Sequence, residues 1–488
     1  MKYQTSLIGR AILAVLLTFG FYGLAIAIAL ALFWIVYAEF MIWRRVQWQI
    51  TLFCIIGGLT ILWAILPRWD FFTPPGPRLT KKQHPRLFAQ IFEIAQLVKQ
   101  RIPTEVYLVS DVNAFVTERG GVWGIGARRV MGIGLPLLQA MTISQLRATL
   151  AHEFGHYYGG DTALAPWVYK TRGALARTLE GLGDSLLQIP FQAYAELFMR
   201  ITQSISRQQE FSADALAARV IGRQHLIEGL RVVNGVGPAY QGYWQNELAP
   251  VLSSGLRPPL AEGFAQFIAA RAVANAMEQI VTDQIKNEQT NVYDTHPALR
   301  ERIAAVDRMA LGREDENTAA ISLLNNVAGM ERELLAQMFG KQVADLNPVQ
   351  WQDVGKLVYL PAYEKTFADY ALALRGLTPM TVPKFLPLPN ELSRRLQEQA
   401  DHTLTEEEKQ AGVWNIVGIA LTLALVKQGW EISAPPGLPV AVRQGDQCIE
   451  PLIALQHLAT GKMSADAWRE KCNAWGIANL SLSEGDNQ

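Results

Sequence analysis

The stretch His152-Glu153-Phe154-Gly155-His156 places two imidazole rings four residues apart, with a carboxylate directly after the first ring. On an α-helix this spacing stacks both rings on one face, where they can hold a single Zn²⁺ ion while Glu153 lies beside them. The alternative interpretation is a pair of hydrogen-bonded helix histidines next to a solvated glutamate. The motif therefore predicts a metal site, provided that its surroundings form a helix.

The residues around the motif predict that helix. Thr142 and Gln145 have the spacing of a capping box at a helix N-terminus. Gly159-Gly160 provides a stop after the motif. Apolar side chains recur between these two signals at helical spacing: Ile143, Leu146 and Leu150.

Composition describes a large ordered protein and excludes several classes of function. The chain has 488 residues, of which 50% are hydrophobic, so it can form two or more domains with buried cores. Basic and acidic residues number 44 each, and this balance gives no reason to expect a nucleic-acid partner. Cys54, Cys448 and Cys472 show no metal spacing and fit a reduced compartment, with a Cys448 to Cys472 disulfide left open.

Two long apolar runs near the N-terminus predict a transmembrane hairpin. The first runs from about residue 11 to 37 and the second from 48 to 66, and neither contains a charged residue. A cleaved signal peptide is the rival for the first run, which is far longer than a signal sequence requires. Buried core helices are a weaker alternative, because neither run has a polar stripe.

The distribution of basic residues predicts that both ends of the hairpin face the cytoplasm. Seven basic residues flank the hairpin and two lie in its link, and such an excess marks the cytoplasmic side of bacterial inner-membrane proteins. The flanking residues are Lys2, Arg10, Arg68, Arg78, Lys81, Lys82 and Arg86, and the link residues are Arg44 and Arg45.

Proline-rich segments and apolar periodicity suggest the domain boundaries. We expect a membrane hairpin at 1–70, a spacer at 71–83, a catalytic domain at 84–312, a helical extension at 313–376 and a C-terminal accessory module at 377–488. Pro379, Pro383, Pro387 and Pro389 mark the start of that last module. Its apolar run at 413–426 is too short to span a bilayer and predicts a core helix.

Ahead of the motif the sequence predicts a helix followed by two strands. The helix is expected at 84–101, the first strand at 105–109 and the second at 129–135, immediately before the motif helix. A strand in that last position can pair with an extended substrate and present its carbonyl to the metal. The alternative is that most of its residues serve ordinary sheet structure.

Four ordered motifs between about Pro85 and Ala310 resemble the HtpX-type membrane zinc metallopeptidases, which are relatives of the CAAX prenyl proteases. The motifs are Asn113-Ala114-Phe115, His152 to His156 continued by Tyr157-Tyr158-Gly159-Gly160-Asp161, Glu210-Phe211-Ser212-Ala213-Asp214-Ala215, and His296-Pro297-Ala298-Leu299-Arg300. The chain departs from the family pattern at 118–127 and between the second and third motifs. The family has further membrane helices in that second region, but here charged residues interrupt it, so we expect soluble or membrane-surface helices. The interrupting residues are Arg172, Arg177, Glu180 and Asp184.

A hydrolytic zinc ion needs a third protein ligand and an open position for water. Glu180, Glu196 and Glu210 all lie within reach downstream of the motif, and position alone does not choose among them. Local context favours Glu210, because a helix of small residues follows it and Asp214, one turn on, can accept a hydrogen bond from a ligating imidazole. The resemblance implies the same two roles, and it also implies that Asn113 binds substrate.

Given such a site, the chemistry follows from the properties of zinc. The ion lowers the pKa of a bound water to about 7, and Glu153 accepts the proton when the water attacks a peptide carbonyl. His296 and Arg300 are the candidate donors to the oxyanion. The alternative for these two is a helix start at Pro297 with Arg300 in a surface ion pair.

The sequence as a whole predicts a mainly α fold with a small β-sheet: a zincin-like domain with a two-helix membrane anchor. We expect an inner-membrane endopeptidase with one Zn²⁺ per chain and a cytoplasmic catalytic domain. By resemblance, its substrates are proteins or peptides, among them damaged membrane proteins. The lipid bilayer is its other expected partner, and the charge balance gives no reason to expect nucleic acid. A non-catalytic zinc-bound scaffold or chaperone is the second hypothesis, and Glu153 argues against it.

Overall fold

The computed structural model describes residues 2–66, 72–119, 128–157, 165–312, 316–385, 391–399 and 405–483. The predicted stop at Gly159-Gly160, the basic residue Arg68, most of the stretch 118–127, and Pro387 and Pro389 lie outside these residues. The described part is mainly helical with small sheets, which confirms the predicted fold class.

The chain forms two compact units. The first contains residues Met1–Gly237 and Glu278–Val327, and the second contains Pro238–Met277 and Ala328–Gln488. The apolar hairpin and the peptidase motifs therefore share one unit.

The helices of both units have the following bounds: α1 (Lys2–Met41), α2 (Trp48–Ile65), α3 (Pro85–Leu97), α4 (Leu135–Ala140), α5 (Ile143–Gly155), α6 (Ala165–Leu182), α7 (Gln188–Val220), α8 (Arg223–Tyr243), α9 (Ala249–Ser253), α10 (Leu260–Ala269), α11 (Arg271–Asn287), α12 (Leu299–Val306), α13 (Val327–Phe339), α14 (Lys341–Ala344), α15 (Trp351–Val354), α16 (Leu360–Tyr370), α17 (Glu391–Gln399), α18 (Glu406–Lys427), α19 (Pro451–Ala459) and α20 (Ala465–Ala474). The strands are β1 (Arg78–Leu79), β2 (Glu105–Val109), β3 (Ala114–Arg119), β4 (Arg128–Gly134), β5 (Leu256–Arg257), β6 (Asn347–Pro348), β7 (Glu431–Ser433), β8 (Ala441–Gln444) and β9 (Gln447–Ile449).

The first two helices, α1 and α2, are the predicted membrane hairpin. Both are long and apolar enough to cross a bilayer, with mean hydropathies of 2.4 for Ile12–Met41 and 1.9 for Trp48–Ile65. The buried carboxylate of Glu39 accepts a hydrogen bond of 2.5 Å from the hydroxyl of Thr51, which joins the two helices near their connection. Large apolar side chains are exposed on the outer faces: Leu16, Phe19, Leu30 and Trp34 on α1, and Leu52, Ile56, Leu59 and Trp63 on α2.

A four-stranded sheet in the order β1-β2-β4-β3 precedes the motif helix. β2 and β4 are parallel, and β3 folds back antiparallel onto β4 with Phe115 opposite Gly132. The predicted strand at 105–109 matches β2, and the second predicted strand matches β4 to within one residue.

The second predicted strand forms ordinary sheet structure, and the possibility that it pairs with substrate is excluded. β4 lies between β2 and β3, so both of its edges already carry hydrogen bonds. The sequence does not predict the pairing of β3 with β4, because neither segment alone carries a signal for it. β3 begins immediately after the turn at Asn113. Among the described residues, β1 and β3 each have only one neighbouring strand, and the outer edge of β3, the longer of the two, can accept another chain.

The second unit has its own apolar core around α18. Val413, Val417 and Leu421 of this helix are buried together with side chains of the small sheet β7-β8-β9 and of α19 and α20. This agrees with the expected core helix at 413–426. Cys472 is buried in this core and Cys448 is exposed, and both are free thiols, so they form no disulfide.

Candidate metal centre

Helix α5 carries the motif, and it begins where the sequence predicts. The hydroxyl of Thr142 accepts a hydrogen bond from the backbone N–H of Gln145, and the side chain of Gln145 accepts one from the backbone N–H of Thr142. This capping box satisfies two N–H groups that have no partner within the helix. His152 lies in the last turn and His156 follows as the C-cap, with their ring centroids 4.8 Å apart.

Helix α7 packs closely against α5 and brings two carboxylates to the motif. A Cβ atom at Gly155 would lie 2.8 Å from the Cα of Ala213, a distance too short for two carbon atoms. Glycine at the fourth motif position and alanine on α7 therefore permit this approach. The approach places Glu210 and Asp214, both buried, beside the two imidazoles.

The side chains of His152, His156 and Glu210 converge on one point. Glu210 Oε2 lies 3.5 Å from His152 Nε2, and Glu210 Oε1 lies 3.6 Å from His156 Nε2. Tetrahedral zinc with bonds of about 2.0–2.1 Å holds its ligand atoms about 3.3 Å apart, so these separations fit the ion with little rearrangement. Glu180 and Glu196, the other two candidates, are exposed and are not part of this cluster.

One oxygen of Glu210 also indicates that the cluster can hold a cation. Glu210 Oε2 is buried and accepts no hydrogen bond from any described residue, although His152 Nε2 and Arg302 Nη2 lie 3.5 and 3.4 Å away. A buried carboxylate oxygen normally has a partner, because the loss of water is otherwise uncompensated. The donor set of two imidazoles and one carboxylate suits a divalent cation such as Zn²⁺.

Asp214 and Arg302 hold His152 in the orientation that a metal ligand needs. His152 Nδ1 lies 2.9 Å from Asp214 Oδ1, so its other nitrogen, Nε2, is directed towards Glu210. Arg302 binds the same carboxylate through two hydrogen bonds, from Nε to Oδ2 at 2.8 Å and from Nη2 to Oδ1 at 2.7 Å. This bidentate pair fixes the aspartate within the fold.

The arginine that enters the site is Arg302, which sequence reasoning missed, and not Arg300. Arg300 is exposed on the first turn of α12, and no hydrogen bond or ion pair links it to the cluster among the described residues. Leu299 and Val306 are the buried side chains of α12, and Arg302 lies three residues after Leu299 on the same face. The helical spacing of Leu299, Arg302 and Val306 is the signal that could have identified it.

The remaining two predicted residues lie in exposed positions. His296 has a side chain that is 64% exposed, and its Nδ1 lies 3.1 Å from Glu210 Oε1, so it forms the rim of the cluster. Asn113 is exposed at the start of β3, where its carbonyl accepts a hydrogen bond of 2.8 Å from the N–H of Gly134.

Comparison with known proteins agrees with this geometry. Residues 81–310 match the sequence profile of peptidase family M48. They form an M48 peptidase domain. The HtpX-type resemblance seen in the sequence is thereby confirmed for this domain, and the two apolar helices ahead of it are long and apolar enough to cross a membrane.

Curated relatives of the M48 domain carry the name Protease HtpX. The relative from Idiomarina loihiensis is 28% identical over 201 residues, which is 36% of this chain and 67% of the relative. The relative from Klebsiella pneumoniae is 30% identical over 175 residues, which is 30% of this chain and 57% of the relative. No solved structure was found to match the chain.

Burial and charge set the protonation of the M48 site. Burial alone would lower the pKa of His152, but the carboxylates of Asp214 and Glu210 outweigh it and raise this pKa to about 10. Burial and the nearby positive charge of His152 lower the pKa of His156 to about 4. Burial would raise the pKa of Glu210, but its contacts with His152 and His296 hold that pKa far below its usual range. His156 is neutral and Glu210 is ionised, and these are the forms that bind a cation. His152 is protonated without a cation, so a cation would have to displace its proton on binding.

The pKa of Glu153 moves in the opposite direction from that of Glu210. Burial raises it to about 7, and the negative charge of Glu210 adds to this effect while His152 opposes it. A carboxylate with a pKa near 7 is suited to accept and return a proton at neutral pH.

Replacing Arg302 by methionine tests its role, because methionine fills similar space without the charge. We expect Arg302→Met to lower zinc affinity or turnover roughly 10-fold or more. The reason is that Asp214 loses the two hydrogen bonds from Arg302 and no longer holds His152 in its orientation. Arg300→Met is the matched control on the same helix and should change neither by more than about twofold. Zinc titration and peptidase assays on both variants measure the effect, with thermal melting to confirm that each one folds. Equal behaviour of the two variants would contradict the assignment.

Proposed function

We propose that the protein is a zinc-dependent endopeptidase that cleaves protein substrates at the membrane. The observation that carries this proposal is the convergence of His152, His156 and Glu210 with Glu153 beside them. Three protein ligands leave a fourth position for water, as in hydrolytic zinc sites, whereas structural zinc sites are closed by four protein ligands. A non-catalytic scaffold would give no role to the carboxylate of Glu153 next to a metal ligand.

The residues of the chain have separate tasks in peptide hydrolysis. When bound, zinc polarises the scissile carbonyl and lowers the pKa of a water molecule to about 7. Glu153 takes the proton that the attacking water loses and returns it to the leaving amine. His296, at the exposed rim, donates a hydrogen bond to the oxyanion. Arg302 is a positioning residue that acts through Asp214, and Arg300 has no task in this scheme.

The outer edge of β3 is the surface on which an extended substrate would lie. Tyr157, the residue after His156, donates a hydrogen bond of 2.9 Å to the carbonyl of Val116 in β3. The guanidinium of Arg129 lies 4.3 Å from the centre of the Tyr157 ring and packs against its face. These contacts hold the edge strand beside the catalytic motif, with Asn113 at its start. Main-chain pairing of this kind accepts many sequences and suits a protease of unfolded segments.

By its HtpX-type resemblance, the enzyme would act on damaged or misassembled membrane proteins in quality control, with the M48 domain in the cytoplasm of a bacterial cell. The apolar hairpin places the enzyme in the same membrane as such substrates. The excess of basic residues at both ends of the hairpin supports the cytoplasmic side.

Metal analysis tests the ligand set. We expect one Zn²⁺ per chain in the purified protein and substantial loss of zinc in His152→Ala and Glu210→Ala, because each variant removes one of three protein ligands. Glu196→Ala on the same helix is the control and should keep its zinc. Chelation should abolish cleavage of an unfolded test protein. Full zinc in a folded Glu210→Ala variant would show that another residue is the third ligand.

The substitution Glu153→Gln separates an enzyme from a scaffold. Glutamine keeps the size of the side chain and removes its basicity, so the variant should fold, hold one zinc ion and lose roughly 100-fold or more in turnover. Proteolysis of a membrane-protein substrate in cells and in detergent measures this. Equal clearance by the wild type and Glu153→Gln would reject the proteolytic function even if the zinc site is correct.

Cysteine labelling tests the orientation of the hairpin. Cysteine at Lys82, an exposed position before α3, should react only from the cytoplasm, and cysteine at Arg45, in the hairpin link, only from the other side. The background needs Cys448→Ser, because Cys448 is exposed while Cys54 and Cys472 are buried. The reverse labelling pattern would place the M48 domain outside the cytoplasm.

A further inference from the structure

Arg207 lies one turn before Glu210 on α7, and its side chain binds a run of backbone carbonyls. The acceptors of its Nη1 are the carbonyl oxygens of Asn291, Val292 and Asp294, at 3.3, 3.0 and 2.7 Å. They belong to the segment 288–298, which joins α11 to α12 and carries His296. The helix that carries the third candidate metal ligand therefore also holds the segment that carries His296.

Hydrogen bonds within this segment give it a compact shape. The side chain of Asp294 accepts a hydrogen bond of 2.6 Å from the N–H of Asn291, which forms a turn. At the base of the segment, the hydroxyl of Thr290 accepts a hydrogen bond of 2.7 Å from the N–H of Ala298. The base is closed by the segment itself, and Arg207 holds the turn against α7.

The position of His296 depends on this backbone more than on the packing of its own side chain. The side chain is 64% exposed, and its Nδ1 lies 3.1 Å from Glu210 Oε1. A side chain with so little packing keeps several rotamers, so its reach is set by the position of its backbone. His296 follows Asp294 by two residues, which span at most about 7 Å. The hydrogen bond from Arg207 to Asp294 therefore limits how far His296 can move from Glu210.

Arg207 and Glu210 form two attachment points for the segment on one face of α7. Residues three apart on a helix lie one above the other, separated by about 4.5 Å along the axis. Arg207 binds the turn at Asp294, and Glu210 lies beside His296, two residues further along the segment. A single attachment would let the segment swing about it, whereas two attachments on successive turns fix both its position and its direction.

We propose that Arg207 is a positioning residue that fixes the segment 288–298 on α7 and so keeps His296 at the rim of the metal centre. This role rests on the proposed function, in which His296 donates a hydrogen bond to the oxyanion. With Nδ1 beside Glu210, the opposite ring nitrogen, Nε2, is the one that can meet a substrate oxygen. Loss of Arg207 would leave the three candidate metal ligands in place and would let His296 move away from that oxygen.

Hydrogen–deuterium exchange of the full-length protein in detergent measures the attachment directly. The substitution Arg207→Met keeps the length of the side chain and removes its donors, so we expect peptides covering 289–298 to exchange severalfold faster. Arg200→Met, at an exposed arginine two turns earlier on α7, is the matched control and should leave that exchange unchanged. Both variants should keep the zinc content and the melting temperature of the wild type.

Two outcomes of this measurement would overturn the proposal. Unchanged exchange at 289–298 in a folded Arg207→Met variant would show that other contacts hold the segment. Loss of zinc from the same variant would show that Arg207 acts on Glu210 and not on the segment.

A double-mutant cycle with His296→Ala tests the link to catalysis. We expect Arg207→Met to lower kcat roughly 10-fold while KM changes by less than about twofold, because an oxyanion donor acts only in the transition state. In the His296→Ala background the same substitution should cause no further loss, since no donor remains to be positioned. Arg207→Lys keeps the positive charge and three donors and should restore part of kcat.

An equal loss of kcat from Arg207→Met in both backgrounds would overturn the link, because Arg207 would then act independently of His296. The exchange measurement needs no substrate, so unchanged exchange would leave the peptidase assignment intact. Equal turnover of the wild type and Glu153→Gln would reject the peptidase assignment without altering the exchange expected at 289–298. The two failures are therefore distinguishable.

Discussion

The contact between α5 and α7 at Gly155 and Ala213 is the constraint on which the metal centre depends. Two histidines on one helix supply only two of the three protein ligands. The third ligand has to come from a neighbouring helix at a fixed distance. The absence of a side chain at Gly155 allows the backbones to approach until Glu210 lies 3.5–3.6 Å from both imidazoles. A larger residue there would separate the ligands by more than a zinc ion can bridge.

The close packing also buries two carboxylates near each other, and Arg302 offsets their negative charge. Glu210 and Asp214 are both buried, and two carboxylates without partners at such a position would be strongly destabilising. Arg302 neutralises Asp214 through two hydrogen bonds and lies 3.4 Å from Glu210. A divalent cation held by His152, His156 and Glu210 would add further positive charge, so that the arginine and the cation would together stabilise the cluster.

The parts of the structure that the sequence predicts are those determined by neighbouring residues. The capping box at Thr142, strand β2 and the two apolar helices each follow from a short pattern. The sequence does not predict contacts between distant segments. The partner of Arg177 is an example, because its acceptor is a helix-end carbonyl 113 residues earlier in the chain. The sequence points to Arg300 and not to Arg302, because only the buried face of α12, which Leu299 and Val306 define, brings Arg302 to the cluster.

Helix α7 runs without interruption from the apolar cluster of α1 and α2 to the candidate metal centre. Its 33 residues extend for about 50 Å, with Phe191 and Phe198 packed in the cluster of α1 and α2 and with Glu210 and Asp214 in the metal centre. Because both ends belong to one uninterrupted helix, the position of the metal ligand relative to the anchor is fixed by backbone hydrogen bonds and not by a flexible linker.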